Sequence, residues 1–164
     1  MRPRSAARER STLPETPSPL RRARAAKPDL SEEETAGFDF PDPPPEIPDW
    51  AEREARPWRG LRDFDLEVRA EERTGRTVEI RHVDLPDGVW GLHIARGRRV
   101  RLCVNRRLPG AWRRFALFHE LYHLLSHTEG EAFWKQTFQP ISRFESEADL
   151  FAWAVVRPEF AEDC

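Results

Sequence analysis

The stretch that decides the fold is residues 111–127, AWRRFALFHELYHLLSH. It contains no glycine or proline, and it is apolar almost all round between Phe115 and Leu125. A helix that is hydrophobic on every side is normally buried, so this pattern predicts a helix in the middle of the domain. His119, Glu120 and His123 interrupt the apolar run. Because unpaired polar groups in such a helix would cost several kcal/mol, their presence indicates a chemical role.

These three residues form the pattern H-E-x-x-H. Four residues of an α-helix turn through about 400°, so His119 and His123 lie on one face, one turn apart. This spacing lets both imidazoles bind one zinc ion. Glu120 lies to the side of the pair, where it can accept a proton from an attacking water molecule rather than bind the metal.

A catalytic zinc site needs a third protein ligand. The extended histidine motif would place glycine at 126 and histidine at 129, but the chain has Ser126 and Glu129. His127 lies too far along the helix axis for the same metal. That class of site is therefore excluded, and the third ligand must come from another element.

Residues 143–156 predict a second buried helix, which we expect to end before Pro158. Glu145 and Glu147 are about 200° apart on such a helix, so only one of them can face the metal. Glu145 shares a face with Asp149 and two alanines that permit close helix approach. We therefore favour Glu145 as the ligand and keep Glu147 as the alternative. Asp149 could accept the second ring N–H of a ligating histidine.

The remaining elements predict an α+β domain. Residues 61–73 favour a helix, 77–83 a strand, and 89–95 with 99–105 a hairpin around Gly97. We expect a small, three-stranded, antiparallel sheet with about three helices, of which the H-E-x-x-H helix is the central one. Trp90, Leu92 and Ile94 form one face of their strand and His93 the other.

The composition changes near residue 57. Eleven of the 15 prolines lie at or before it, residues 1–30 carry eight basic groups, and residues 31–50 carry seven acidic groups and no basic one. Such segments bury too little apolar surface to offset the entropy of ordering. We therefore expect a disordered tail over 1–57 and one domain over 58–164.

Composition also limits the partners. The net charge of −2 and pI of about 6.2 exclude a globally basic nucleic-acid binder. No apolar run approaches 18 residues, so no membrane partner is expected, and no secretory signal is apparent. Two cysteines, Cys103 and Cys164, form no disulfide framework, which favours a cytoplasmic location.

At this point the chain resembles the ImmA/IrrE family of zinc metallo-endopeptidases. The resemblance rests on 114–127 (RFALFHELYHLLSH) and 144–158 (FESEADLFAWAVVRP), and it weakens before residue 90. Tyr122 departs from the family, in which glycine is common there. The resemblance implies a gluzincin-like core and a cytoplasmic endopeptidase. It also implies that the substrate is a protein, such as a helix-turn-helix repressor in a stress or mobile-element pair.

The predicted reaction is zinc-assisted peptide hydrolysis, with His119, His123 and Glu145 as ligands and Glu120 as the general base. Tyr122, His93 and Arg114 are candidates for stabilising the oxyanion. A free strand edge at 89–95 or 99–105 could hold the substrate as an added strand.

The sequence leaves two alternative functions open. The protein could keep the metal and regulate a partner by docking, with little or no proteolysis. Alternatively, the six arginines within 96–107 could contact nucleic acid, although a solvated strand face is the more ordinary interpretation and direct nucleic-acid binding is not expected.

Overall fold

A computed structural model describes residues 38, 40–126, 133–137 and 143–162, with side chains for 38, 40–126 and 146–161. Most of the predicted tail, together with His127, Glu129 and Cys164, lies outside the described residues. The side chain of Glu145 lies outside them as well. None of the described helices is long and apolar enough to cross a membrane.

The described chain is an α+β domain, as predicted. Its helices are α1 (Asp49–Ala55), which continues into a 3-10 turn (Arg56–Trp58), α2 (Asp63–Thr74), α3 (Gly110–Ser126) and α4 (Arg143–Glu162). Its strands are β1 (Thr77–Val83), β2 (Gly91–Arg96), β3 (Arg99–Asn105) and β4 (Phe133–Thr137). The H-E-x-x-H helix α3 lies within one residue of its predicted bounds.

The sheet differs from the predicted one in strand number and direction. Its order is β1-β3-β2-β4, with β1 parallel to β3 and β2 antiparallel to both β3 and β4. The expected β2–β3 hairpin is present, but β3 lies between β2 and β1. Local alternation cannot reveal this order, because the strand that follows another in sequence need not be its neighbour.

This topology corrects the predicted substrate edge. Residues 91–95 pair on both sides, with β3 and β4, and residues 99–104 pair with β1 and β2. Neither segment therefore has a free edge. Within the described part of the chain, the open edges of the sheet belong to β1 and β4.

Helix α3 lies between the sheet and helix α4, in the centre of the hydrophobic core. Its buried side chains include Trp112, Phe115 and Phe118, each 1% exposed or less. Trp112 and Phe115 both pack edge-on against Trp153 of α4, with ring centroids 5.5 and 5.1 Å apart. The prediction of a buried helix in the middle of the domain is confirmed.

Helix α4 does not end before Pro158, as we expected, but continues to Glu162 with the proline inside it. Proline has no N–H, so the carbonyl of Ala154, four residues earlier, loses its helical donor. The Arg59 guanidinium replaces that donor, because its Nε and one terminal nitrogen lie 3.0 and 2.7 Å from the Ala154 oxygen. A side chain 95 residues away in sequence thus satisfies the interrupted turn.

The packed region begins before residue 57. Ala51 and Ala55 of α1 are fully buried, Phe40 stacks on Trp112 at 4.5 Å, and Trp50 packs against Tyr122. The predicted boundary therefore places a packed segment in the tail. The average composition of residues 1–57 is dominated by prolines and charges, so it does not reveal the few apolar residues that pack against the domain.

Candidate active site

The two histidines of the motif meet on one face of helix α3. The Nε2 atoms of His119 and His123 lie 3.1 Å apart, and the residues are 2% and 3% exposed. The helical spacing alone accounts for this convergence, because four residues return the chain to almost the same side of the helix. The structure therefore brings together this pair of sequence-predicted ligands.

The pair fits a zinc ion. Two imidazole nitrogens that bind tetrahedral zinc at about 2.0–2.1 Å are separated by ~3.3 Å, close to the observed Nε2–Nε2 distance. Imidazole nitrogen is also among the donors that zinc prefers.

Asp149 supports the pair from helix α4. Its Oδ1 lies 2.7 Å from Nδ1 of His119. Because a carboxylate accepts a hydrogen bond, Nδ1 carries the proton and Nε2 keeps its lone pair for a metal. The structure thus places Asp149 where the sequence predicted an acceptor for a ligating histidine.

Glu120 lies beside the pair and is 1% exposed. Its Oε2 is 2.8 Å from Nδ1 of His93 on β2. The His93 ring in turn stacks on that of His123, with centroids 5.7 Å apart and planes 21° apart. Glu120, His93 and His123 therefore form one buried polar cluster between the sheet and α3.

The candidates for the third ligand, Glu145 and Glu147, lie on helix α4. Among the side chains that the structure describes, no three histidine, cysteine, aspartate or glutamate residues are grouped to hold a metal. On the backbone of α4, residue 145 lies one turn before Asp149 and hence on the same face. Glu147 accepts a hydrogen bond at 3.1 Å from the Tyr122 hydroxyl, about 200° away from that face.

The predicted oxyanion donors occupy different places. Arg114 binds Glu159 through two nitrogens, at 2.9 and 2.7 Å, and donates to the Leu61 carbonyl, so its role is structural. Tyr122 lies against His123, with ring centroids 6.4 Å apart, and burial raises the pKa of its hydroxyl. Only His93 and Tyr122 therefore lie next to the H-E-x-x-H residues.

The alternation along β2 separates His93 from Leu92 and Ile94 but does not show which of the two faces is buried. Gly91, His93 and Ala95 form the buried face, whereas Leu92 and Ile94 are half-buried on the opposite one. The available signal was the pattern of small residues on either side of His93. A glycine and an alanine at alternate positions leave room for a helix and for the Glu120 side chain.

The sequence profile of the IrrE N-terminal-like domain, peptidase family M78, matches residues 64–162. The match covers more than half of the chain and includes α3, α4 and all four strands. Neither the curated proteins nor the solved structures gave a significant match. The profile match and the H-E-x-x-H site agree with the resemblance seen in the sequence, and the chain belongs to the IrrE N-terminal-like family of peptidases.

Proposed function

We propose that this protein is a zinc-dependent endopeptidase whose substrate is a partner protein. The observation that carries the proposal is the convergence of the His119 and His123 Nε2 atoms, 3.1 Å apart in a buried helix, with Glu120 beside them. The peptidase family supports the reaction class. As the substrate class, we propose repressors of the helix-turn-helix type.

His119, His123 and Glu145 would hold the zinc. Bound there, zinc would supply a Lewis acid that polarises the scissile carbonyl and lowers the pKa of the attacking water. The case for Glu145 is its position one turn before Asp149, which reaches His119. The hydroxyl of Tyr122, by contrast, donates to the carboxylate of Glu147.

The chain's own residues have separate tasks in this proposal. Glu120 takes a proton from water and returns it to the leaving amine. Asp149 keeps the proton of His119 on Nδ1. Burial raises the pKa of the Tyr122 hydroxyl, which donates its proton to Glu147 in the structure.

The arginines of 96–107 favour a protein substrate over nucleic acid. Four of the six already contact groups of their own chain: Arg98 with the Gly75 carbonyl at 3.1 Å, Arg101 with Glu79 at 2.8 Å, Arg106 with Asp84 at 3.2 Å and Arg107 with Asp87 at 2.9 Å. Binding phosphates would require these contacts to be exchanged. Three of these contacts are with carboxylates, which lower the net positive charge that could attract nucleic acid.

The test compares the wild-type chain with Glu120→Gln, each co-expressed with candidate helix-turn-helix repressors. We expect a shortened repressor with the wild type and an intact one with the variant, at equal zinc content. Removal of a general base lowers the rate by about 10²–10⁴-fold. Equal cleavage by both proteins would contradict the mechanism. An intact repressor that co-purifies with both would support the binding-module alternative instead.

A further inference from the structure

Strand β2 holds the His93 ring in a fixed place. Its neighbours β3 and β4 pair with it on both sides, with His93 opposite Leu102 and Lys135. The ring points from the inner face of the sheet toward α3 and is 3% exposed. A side chain that is buried on a doubly paired strand has little freedom to move away from its partners.

One contact joins His93 to the proposed general base. The Nδ1 atom lies 2.8 Å from Glu120 Oε2, and both side chains are at least 96% buried. With Glu120 as a carboxylate, the ring nitrogen is the donor. A charge-assisted hydrogen bond of this kind is about twice as strong as a neutral one.

The same strand provides the space for Glu120. A Cβ atom at Gly91 would lie 2.7 Å from Glu120 Cγ and 2.8 Å from Oε1, closer than real Cβ contacts. Residues 91 and 93 point to the same face, because side chains alternate along a strand. Gly91 therefore leaves room for the Glu120 side chain, and His93, two residues later, donates a hydrogen bond to it.

We propose that His93 is a positioning residue that fixes the carboxylate of Glu120 for proton transfer, with Gly91 as its companion. This inference rests on the proposed function, since it assigns Glu120 the role of base. His93 acts through Glu120 and has no ligand or acid–base role of its own in this account. A misplacement of about 1 Å at a reacting group can cost about 10²-fold in rate, so the orientation of the carboxylate matters.

Two substitutions separate the hydrogen bond from the packing. His93→Phe keeps a flat ring next to His123 but removes the donor, whereas His93→Asn supplies an amide N–H close to the former Nδ1. We expect His93→Phe to lower kcat by about 10–100-fold, with KM and zinc content unchanged. His93→Asn should recover most of that loss. A kcat for His93→Phe equal to the wild-type value would overturn the proposal, as would equal losses in both variants.

A second measurement does not depend on peptidase activity. In proton NMR spectra of the zinc-loaded protein, the ring N–H of His93 should give a downfield signal that disappears in His93→Phe and shifts in Glu120→Gln. The corresponding signal of His119 should respond to Asp149→Ala and not to His93→Phe. Absence of the His93 signal from the wild type would overturn the inference. If that signal is present but no substrate is cleaved, the proposed function fails while the His93–Glu120 contact stands.

Discussion

Asp149 and His119 are 30 residues apart in sequence, and their Oδ1 and Nδ1 atoms lie 2.7 Å apart where helices α3 and α4 pack. The histidine is 2% exposed at its side chain and the aspartate 17%. This contact fixes both the ring orientation and the position of its proton. It therefore links the packing of two core helices to the readiness of His119 Nε2 for a metal.

Removal of this acceptor should weaken zinc binding. We expect Asp149→Ala to lower zinc affinity by about 10–100-fold, the usual effect of losing a partner behind a metal-bound histidine. Competition with a chromophoric chelator measures the affinity. Glu147→Gln is the matched control on the same helix, because Glu147 contacts Tyr122 rather than the histidine pair. Equal losses in both variants would contradict the role of Asp149.

A methyl group at residue 91 should disturb the general base and spare the metal. Gly91→Ala would push its Cβ against Glu120, so we expect peptidase activity to fall by at least about tenfold while zinc content stays the same. Gly110→Ala is the control, because a Cβ there comes no closer than 3.8 Å to another side chain. Activity and zinc content are measured on the same preparations. Unchanged activity in Gly91→Ala would show that the close approach is unimportant.

Arg114 should contribute to stability and not to chemistry. Its paired hydrogen bonds with Glu159 are partly exposed, at 25% and 32% of the two side chains, so we discount them to about 1–2 kcal/mol. For a domain of this size, Arg114→Ala should lower Tm by about 5–10 °C. Scanning calorimetry measures Tm, and the neighbouring Arg113→Ala serves as the control. A large loss of kcat in folded Arg114→Ala protein would restore it as an oxyanion donor.

Cys103 should react slowly with alkylating agents. Burial raises the pKa of its thiol, so the reactive thiolate is scarcer at a given pH than in the unfolded chain. In a Cys164→Ser background, we expect native Cys103 to react with iodoacetamide at least about tenfold more slowly at pH 8 than after unfolding in urea. Mass spectrometry follows the reaction. Equal reaction rates in the native and unfolded protein would show that the thiol is accessible and that burial does not reduce its reactivity.

Helix α3 could be predicted from sequence because its signal is local. Apolar residues all round Phe115–Leu125 indicate burial, and the spacing of His119 and His123 fixes their common face. The same helical arithmetic placed Asp149 on the face of α4 that meets His119. Each of these inferences depends only on the geometry of one helix.

The features that could not be predicted depend on tertiary packing between elements that are far apart in sequence. Alternation separates Leu92 and Ile94 from His93, but it does not show that helix α3 and Glu120 pack against the small residues on the His93 face. Likewise, the continuation of α4 through Pro158 depends on Arg59, which no local pattern connects to Ala154. The parallel pairing of β1 with β3 is equally non-local.

The zinc content of protein purified without added metal tests the claim that α3 and α4 build a zinc site. The variants are Glu145→Gln and, as the matched control, Glu147→Gln. We predict about one zinc ion per chain in the wild type and in Glu147→Gln, and its loss in Glu145→Gln. A wild-type protein without zinc would contradict the claim. Loss of zinc only in Glu147→Gln would contradict the assignment of the third ligand.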